Sequence, residues 1–243
     1  MATKSSGRHG LMWAVIGGVV LVACVVAIII GATMSGSPRA NPSGTTPAAT
    51  VPSTSPSGTA GPAVDASVAE KGWVPEPITA DAAAYIRAAL AAASTFDTQR
   101  SSREEWLAYL DTWFTPDTRY TSPDDQQADM QAAKLELRQG VVLPQAEWDS
   151  LAGESGRVVA TISSDVVFVP VSQDPAGDMR IGTADVTLTS IRSDGAGGET
   201  SYEDRVRVSV QVLCGPESVP TPGSAQRAGD CKVVRFFSSP QEP

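Results

Sequence analysis

One histidine, His9, and three cysteines, Cys24, Cys214 and Cys231, bound the chemistry open to this chain. Nucleophilic catalysis of the Ser-His-Asp or Cys-His kind needs an imidazole beside the nucleophile. A protein zinc site needs thiolates and imidazoles at close, paired spacing. His9 stands ahead of an uncharged apolar run, away from every segment able to fold, and Cys214 and Cys231 are far apart with no neighbouring ligand. Phosphate-cradling loops are missing as well. Gly195, Gly197 and Gly198 join two strand-like runs and so read as a turn, whereas a Walker or dinucleotide loop follows a strand and opens a helix. No catalytic, cofactor-binding or metal-binding residue is therefore expected, and no cofactor.

What Cys214 and Cys231 can do is bond to each other. Cys214 ends one strand-like run and Cys231 begins the next, so a hairpin brings them face to face at the base of a long Pro/Gly-rich loop. Outside the cytoplasm such a pair is oxidised. Metal binding is the weaker alternative, because the spacing lacks paired ligands.

The compartment is set by residues 11–30, LMWAVIGGVVLVACVVAIII, an uncharged stretch opening at Leu11 and closing at Ile30. As a helix this length spans roughly 30 Å, the thickness of a bilayer core. Lys4 and Arg8 precede it, so residues 1–10 are predicted to be a cytoplasmic tail and the rest extracytoplasmic. A cleaved signal peptide is the less suitable reading, since its apolar region is shorter and ends in a small-residue site. Leu21, Val22, Ala23 and Cys24 resemble a lipoprotein lipobox, yet Val25 to Ile30 continue the apolar run; an uncleaved single-pass anchor is the expectation. Residues 31–72 follow as a disordered Gly/Ala/Ser/Thr/Pro linker, unable to bury a core.

That leaves residues 73–243 for one extracytoplasmic domain. All 27 acids lie beyond residue 64 against 15 of the Lys and Arg, a net charge of −12 for that part, which disfavours nucleic acid as a partner. The single Asn, four Lys and fourteen Arg suit GC-rich coding, hence a bacterial cell membrane as the working location.

The first half of the domain has helical spacing. Thr79 or Asp81 caps a helix running to about Thr95, with Ile86, Leu90 and Ala93 on one face. Ser102 and Glu105 form a capping box ahead of Trp106, Leu107, Leu110, Trp113 and Phe114, which read as core and end at Pro116. Ser122, Pro123 and Asp125 open a third helix that reaches Gly140. Residues 140–143 fit a short strand, and 144–151 a helical turn with Trp148 inward. Beyond Gly156 the period changes to two. Strands are predicted over 157–171, 179–191, 202–214 and 232–237, with Val206, Val208, Val210 and Val212 on the buried face of the third and Arg205, Arg207, Ser209 and Gln211 on the wet face. Short turns between them make an antiparallel meander.

Three helices packed on a curved four-stranded antiparallel sheet resemble the cone-shaped α+β domain of the nuclear transport factor 2-like superfamily. Behind one membrane helix and a stalk, and with the segment SSREEWLAYLDTWFTPD, the plan is similar to the bitopic scaffold subunits of type IV secretion and conjugation systems. The resemblance implies a protein-binding or scaffold component with no enzymatic activity, whose partners are the membrane, envelope proteins or further copies of itself. Arg205, Arg207, Ser209 and Gln211 are the expected contact surface. A stalked envelope protein holding a small, lipid-related ligand is the alternative. Cone-fold enzymes resembling ketosteroid isomerase use a pocket acid and phenol, for which Asp185 and Tyr202, both on strands, are the candidates, and a surface role is expected of both.

Overall fold

The computed structural model describes residues 61–174 and 176–242. The predicted tail, the anchor with Leu11, Cys24 and Ile30, and the linker as far as residue 60 lie outside the described residues. Among the described residues no helix is long and apolar enough to cross a membrane.

After a 3-10 turn at Ala66–Lys71 the chain forms α1 (Ala82–Ala92), β1 (Phe96–Asp97), α2 (Arg103–Asp111), α3 (Pro123–Gly140) and α4 (Gln145–Gly153). It then forms β2 (Arg157–Ile162), β3 (Val167–Val169), β4 (Met179–Ser193), β5 (Glu199–Leu213) and β6 (Lys232–Phe237). The helix starts follow their caps. The Asp81 carboxylate accepts from the Ala83 and Ala84 amides, Ser102 and Glu105 cap reciprocally, and the Ser122 hydroxyl accepts from Asp125 ahead of a first-turn proline. α2 stops before Pro116 is reached, because the chain turns at Thr112 to join the sheet: the Val233 amide donates to the Trp113 carbonyl at 2.9 Å and the Thr115 amide to the Val233 carbonyl at 2.8 Å.

The sheet order is β1-β2-β4-β5-β6, every neighbouring pair antiparallel. The predicted α+β class and the β2-β4-β5-β6 meander are present, but the sheet has six strands and the helical layer a fourth helix, α4. The run predicted as one strand over 157–171 bends at residues 163–166, so that β2 pairs with residues 186–191 of β4 while β3 pairs with residues 181–183 on the same flank. β1 is two residues long, too short to show an alternation. No strand forms at 140–143.

The folded part also begins earlier than residue 73. Ala63 bridges Pro77, the Val64 amide donates to Glu76 and the Ile78 amide to Pro62, and the Asp65 side chain caps the 3-10 turn, which buries Val68. Gly72 closes that turn at φ 78°, where a Cβ would meet Asp97 Cβ at 2.6 Å.

Helices cover one face of the curled sheet, and large side chains pack the space between them. Phe96 stacks on Trp148 with ring centroids 4.2 Å apart, Trp106 lies 4.9 Å from Phe96, and Tyr85 lies 5.7 Å from Trp113. Ala184, Val186, Val210, Val212, Val233 and Phe236 meet them from the strands. Each buried aromatic removes about 150–250 Å² from water, so this cluster dominates the core energetics. A smaller cluster of Met179, Leu213 and Val234, joined by Val171, occupies the other face at one end of the sheet.

Candidate binding groove

On the helix-facing side of β4 and β5 the even-numbered residues point inward: Ala184 and Val186 opposite Val208 and Val206 are core, and continuing along the strands Leu188, Ser190, Tyr202 and Asp204 take the same face. Past the end of the core these residues line a groove. One hollow of about 360 Å³ lies between them and the segment 139–144, over Phe96 and Val158. A second, of about 180 Å³, continues it along Val206, Arg207, Val208, Phe237 and Ser238, and the two share Ser94, Gly140, Val141 and Leu188. The floor is apolar, with Phe96, Val142 and Val158 buried and Val141, Leu143 and Leu188 half-buried; the rim carries Ser94, Gln139, Ser190, Asp204 and Ser238.

The wall is the end of α3, held close to the exit of β6. A Cβ at Gly140 would lie 2.6 Å from Ser238 Cβ, so the approach needs glycine. Glu136, one turn back, accepts from Arg235 Nε at 2.6 Å and from the Ser238 amide at 3.1 Å. Burial works against its charge, but these hydrogen bonds outweigh it and hold the carboxyl below its ordinary range. A hydrogen-bonded wall, an apolar floor and a polar rim suit the capture of a polypeptide or another amphipathic surface.

The residues proposed from sequence fall elsewhere. Arg205 is exposed, and Arg207 is tied to Asp185 at 2.8 Å and to Glu242 at 2.5 Å. Ser209 and Gln211 are only 0% and 2% exposed, which removes them from any open contact surface. They lie on the predicted face, but that face is covered at this end. The Ser209 hydroxyl accepts from the Gln241 amide at 2.8 Å, Thr183 donates to the Gln241 carbonyl, and Gln211 lies against Met179. Asp185 and Tyr202 are not brought together: Asp185 is opposite Arg207 on the outer face, Tyr202 opposite Ser190 on the groove face. The groove itself escaped the sequence reading. Its one signal was that the valine alternation of β5 gives way at the same parity to Asp204 and Tyr202.

Cys214 and Cys231 are joined, as expected, at the base of the loop between β5 and β6. Beside them sits a polar cluster that sequence did not reveal. Lys232, 1% exposed, contacts Glu76 Oε1 at 2.8 Å, the Thr112 carbonyl at 2.8 Å and the Thr221 hydroxyl at 2.7 Å. The same Glu76 oxygen accepts from Tyr85 at 2.6 Å and from Gln226 at 3.1 Å. Burial pushes the Lys232 ammonium below its ordinary pKa, with Glu76 opposing the shift. Burial, then the Glu76 charge, pushes the Tyr85 phenol well above its own. The cluster joins the first folded segment to the last loop. Among the described residues no group of His, Cys, Asp and Glu is placed to hold a metal ion.

No protein-family model matches the chain, and no curated protein matches it. Among solved structures it is similar to an IcmL-like type IV secretion system protein from Legionella pneumophila subsp. pneumophila str. Philadelphia 1, at 13% identity and a TM-score of 0.38, over 65% of this chain and 88% of that chain.

Proposed function

We propose that this chain is a membrane-anchored, extracytoplasmic binding module with a nuclear transport factor 2-like cone, and that it holds envelope proteins in place as a scaffold part of a secretion or conjugation apparatus, with no turnover of its own. The observation that carries the reading is an aromatic-filled centre beside an open surface groove. A protein that encloses a lipid-sized ligand keeps an apolar cavity of several hundred Å³ at its centre. Here Trp106, Trp113, Tyr85, Phe96 and Trp148 occupy that centre, and the apolar groove is open at the surface.

Placement supports the same reading. The chain enters the domain through residues 62–64, paired with 76–78 at the start of α1, whereas the groove begins at Ser94, past the end of α1. Along the chain the two are separated by α1, eleven residues and about 16 Å long. The Cys214–Cys231 bond suits an oxidising compartment outside the cytoplasm.

The test is photocrosslinking in whole cells, with benzoylphenylalanine at Gln139 on the groove rim and, as control, at Glu70 in the 3-10 turn, which does not line the groove; both positions are exposed. Gln139 should give a discrete adduct with an envelope protein, lost with Val141→Asp, and Glu70 should give none. Equal adducts from both positions would sink the groove as the contact. A co-purifying lipid in place of a protein adduct would favour the ligand-binding alternative.

A further inference from the structure

β5 is fifteen residues long and pairs with β4 over its whole length, but β6 covers its other side only from Ser209 to Leu213. Residues 199–208 therefore present an open strand edge among the described residues, and 199–205 are all exposed. The direction of the free groups is readable from one bond. The Arg205 amide is met by the side chain of its own neighbour, Asp204 Oδ1, at 2.8 Å, so it points off the edge, and the other odd-numbered amides of this stretch point the same way. An edge of this length is a template for another strand.

Its charges say which strand. Among the described residues neither Glu203 nor Arg205 has an ion-pair partner, although both lie on the outer face, two positions apart. Run antiparallel to itself about Asp204, the strand sets Glu203 opposite Arg205 of the second copy, and Arg205 opposite its Glu203. Tyr202, 60% exposed, meets Val206 on the groove face. The odd residues then form the hydrogen-bonded pairs, which agrees with the direction of the Arg205 amide. Asp204 meets its own copy in a non-hydrogen-bonded pair. No other register of the same parity gives two Glu–Arg pairs between charges that are otherwise unpaired: moved by one step either way, it sets Arg205 or Glu203 against itself.

We propose that two copies of this chain pair antiparallel along residues 201–207 of β5 about a two-fold axis at Asp204, forming one sheet continuous across both domains. This goes beyond the binding reading and fails separately from it, since Gln139 and the α3 wall lie off the edge.

The test uses the full-length chain in detergent with Cys24→Ser as background. In a non-hydrogen-bonded pair the two Cα atoms at 204 are about 4.5 Å apart, within disulfide reach. Asp204→Cys should give a disulfide-linked dimer on mild oxidation, and Ser201→Cys, whose copies are roughly 20 Å apart in this register, should not. In sedimentation equilibrium, Glu203→Arg should weaken association roughly tenfold, and Glu203→Arg with Arg205→Glu should restore it. A chain that stays monomeric up to its solubility limit overturns the proposal, as do equal crosslinking at 201 and 204 or a charge reversal without effect. Crosslinking of position 204 to a different protein alone would give the edge to a partner's strand and refute the self-pairing.

Discussion

Replacing Lys232 by methionine tests whether the Glu76–Lys232 cluster is a true buried ion pair. Both side chains are removed from water, at 1% and 0% exposure, and the Lys232 ammonium has three close acceptors. Methionine keeps most of the stem volume but takes away the charge, leaving the Glu76 carboxylate with neutral donors only, Tyr85 and Gln226. Breaking one side of such a pair costs about 3–5 kcal/mol, most of it the penalty of the charge left behind. Lys232→Met with Glu76→Gln removes both charges, and the amide oxygen still accepts from Tyr85, so the double variant should lose only about 1–2 kcal/mol. The double variant is thus expected to be more stable than the single one, a sign that additive contacts cannot produce. The assay is equilibrium urea unfolding followed by the fluorescence of Trp73, Trp106, Trp113 and Trp148, all buried. A loss below about 1 kcal/mol for Lys232→Met, or a double variant less stable than the single, would refute the reasoning.

Other expectations follow from the same structure. Cys214→Ser should lower stability by about 3 kcal/mol in urea titrations, since the bond closes a loop over a sequence separation of 17, and hydrogen exchange should rise first in residues 215–230, where Thr221 and Gln226 reach Lys232. Gly182→Ala should cost about 1–3 kcal/mol by overpacking, because a Cβ there would meet Ile86 Cδ1 at 2.6 Å and Val166 Cγ1 at 2.7 Å; an unchanged urea midpoint would contradict it. Acid should destabilise the domain through its caps. The Glu105 carboxyl is held below its ordinary range by the Ser102 amide, then the Ser102 hydroxyl and Lys71, and that of Asp65 by the Ser67 hydroxyl and amide. A lowered folded pKa gives stability that is complete above the unfolded value of about 4 and lost as pH falls through the folded one. The urea midpoint should drop between about pH 5 and 2, and less steeply in Glu105→Gln; parallel profiles would show that the cap does not titrate with folding.

Local signals were legible where one short segment decides the outcome. Ser102 with Glu105 and Ser122 with Pro123 mark helix starts, because cap and first turn are adjacent in sequence, and β6 covers the apolar run from Lys232 to Phe237 expected of it. Alternation in β5 assigned each residue to its face but not what covers that face. Ser209 and Gln211 are buried by the last residues of the chain and by Met179, which no period within β5 encodes. The Glu76–Lys232 pair joins residues 156 apart and each partner reads alone as a surface charge. The 3-10 turn was hidden for the opposite reason: Ala66–Lys71 is alanine-rich and polar like the linker before it, and only the return of residues 62–64 onto 76–78 makes it part of the fold.

That return also sets how the domain bears force. A pull on the N-terminal side at Gly61 falls first on two backbone bonds, Ile78 to Pro62 and Val64 to Glu76, and the second ends on the residue whose side chain is locked to Lys232. Tension would therefore pass from the leading segment into β6 through a buried ionic clamp and bypass the single turn at Ala66–Lys71 until those bonds give way. When they do, about a dozen residues of slack, those between the bonded residues 64 and 76, would be released before any load reaches α1, so the fold carries its own shock absorber ahead of its first helix.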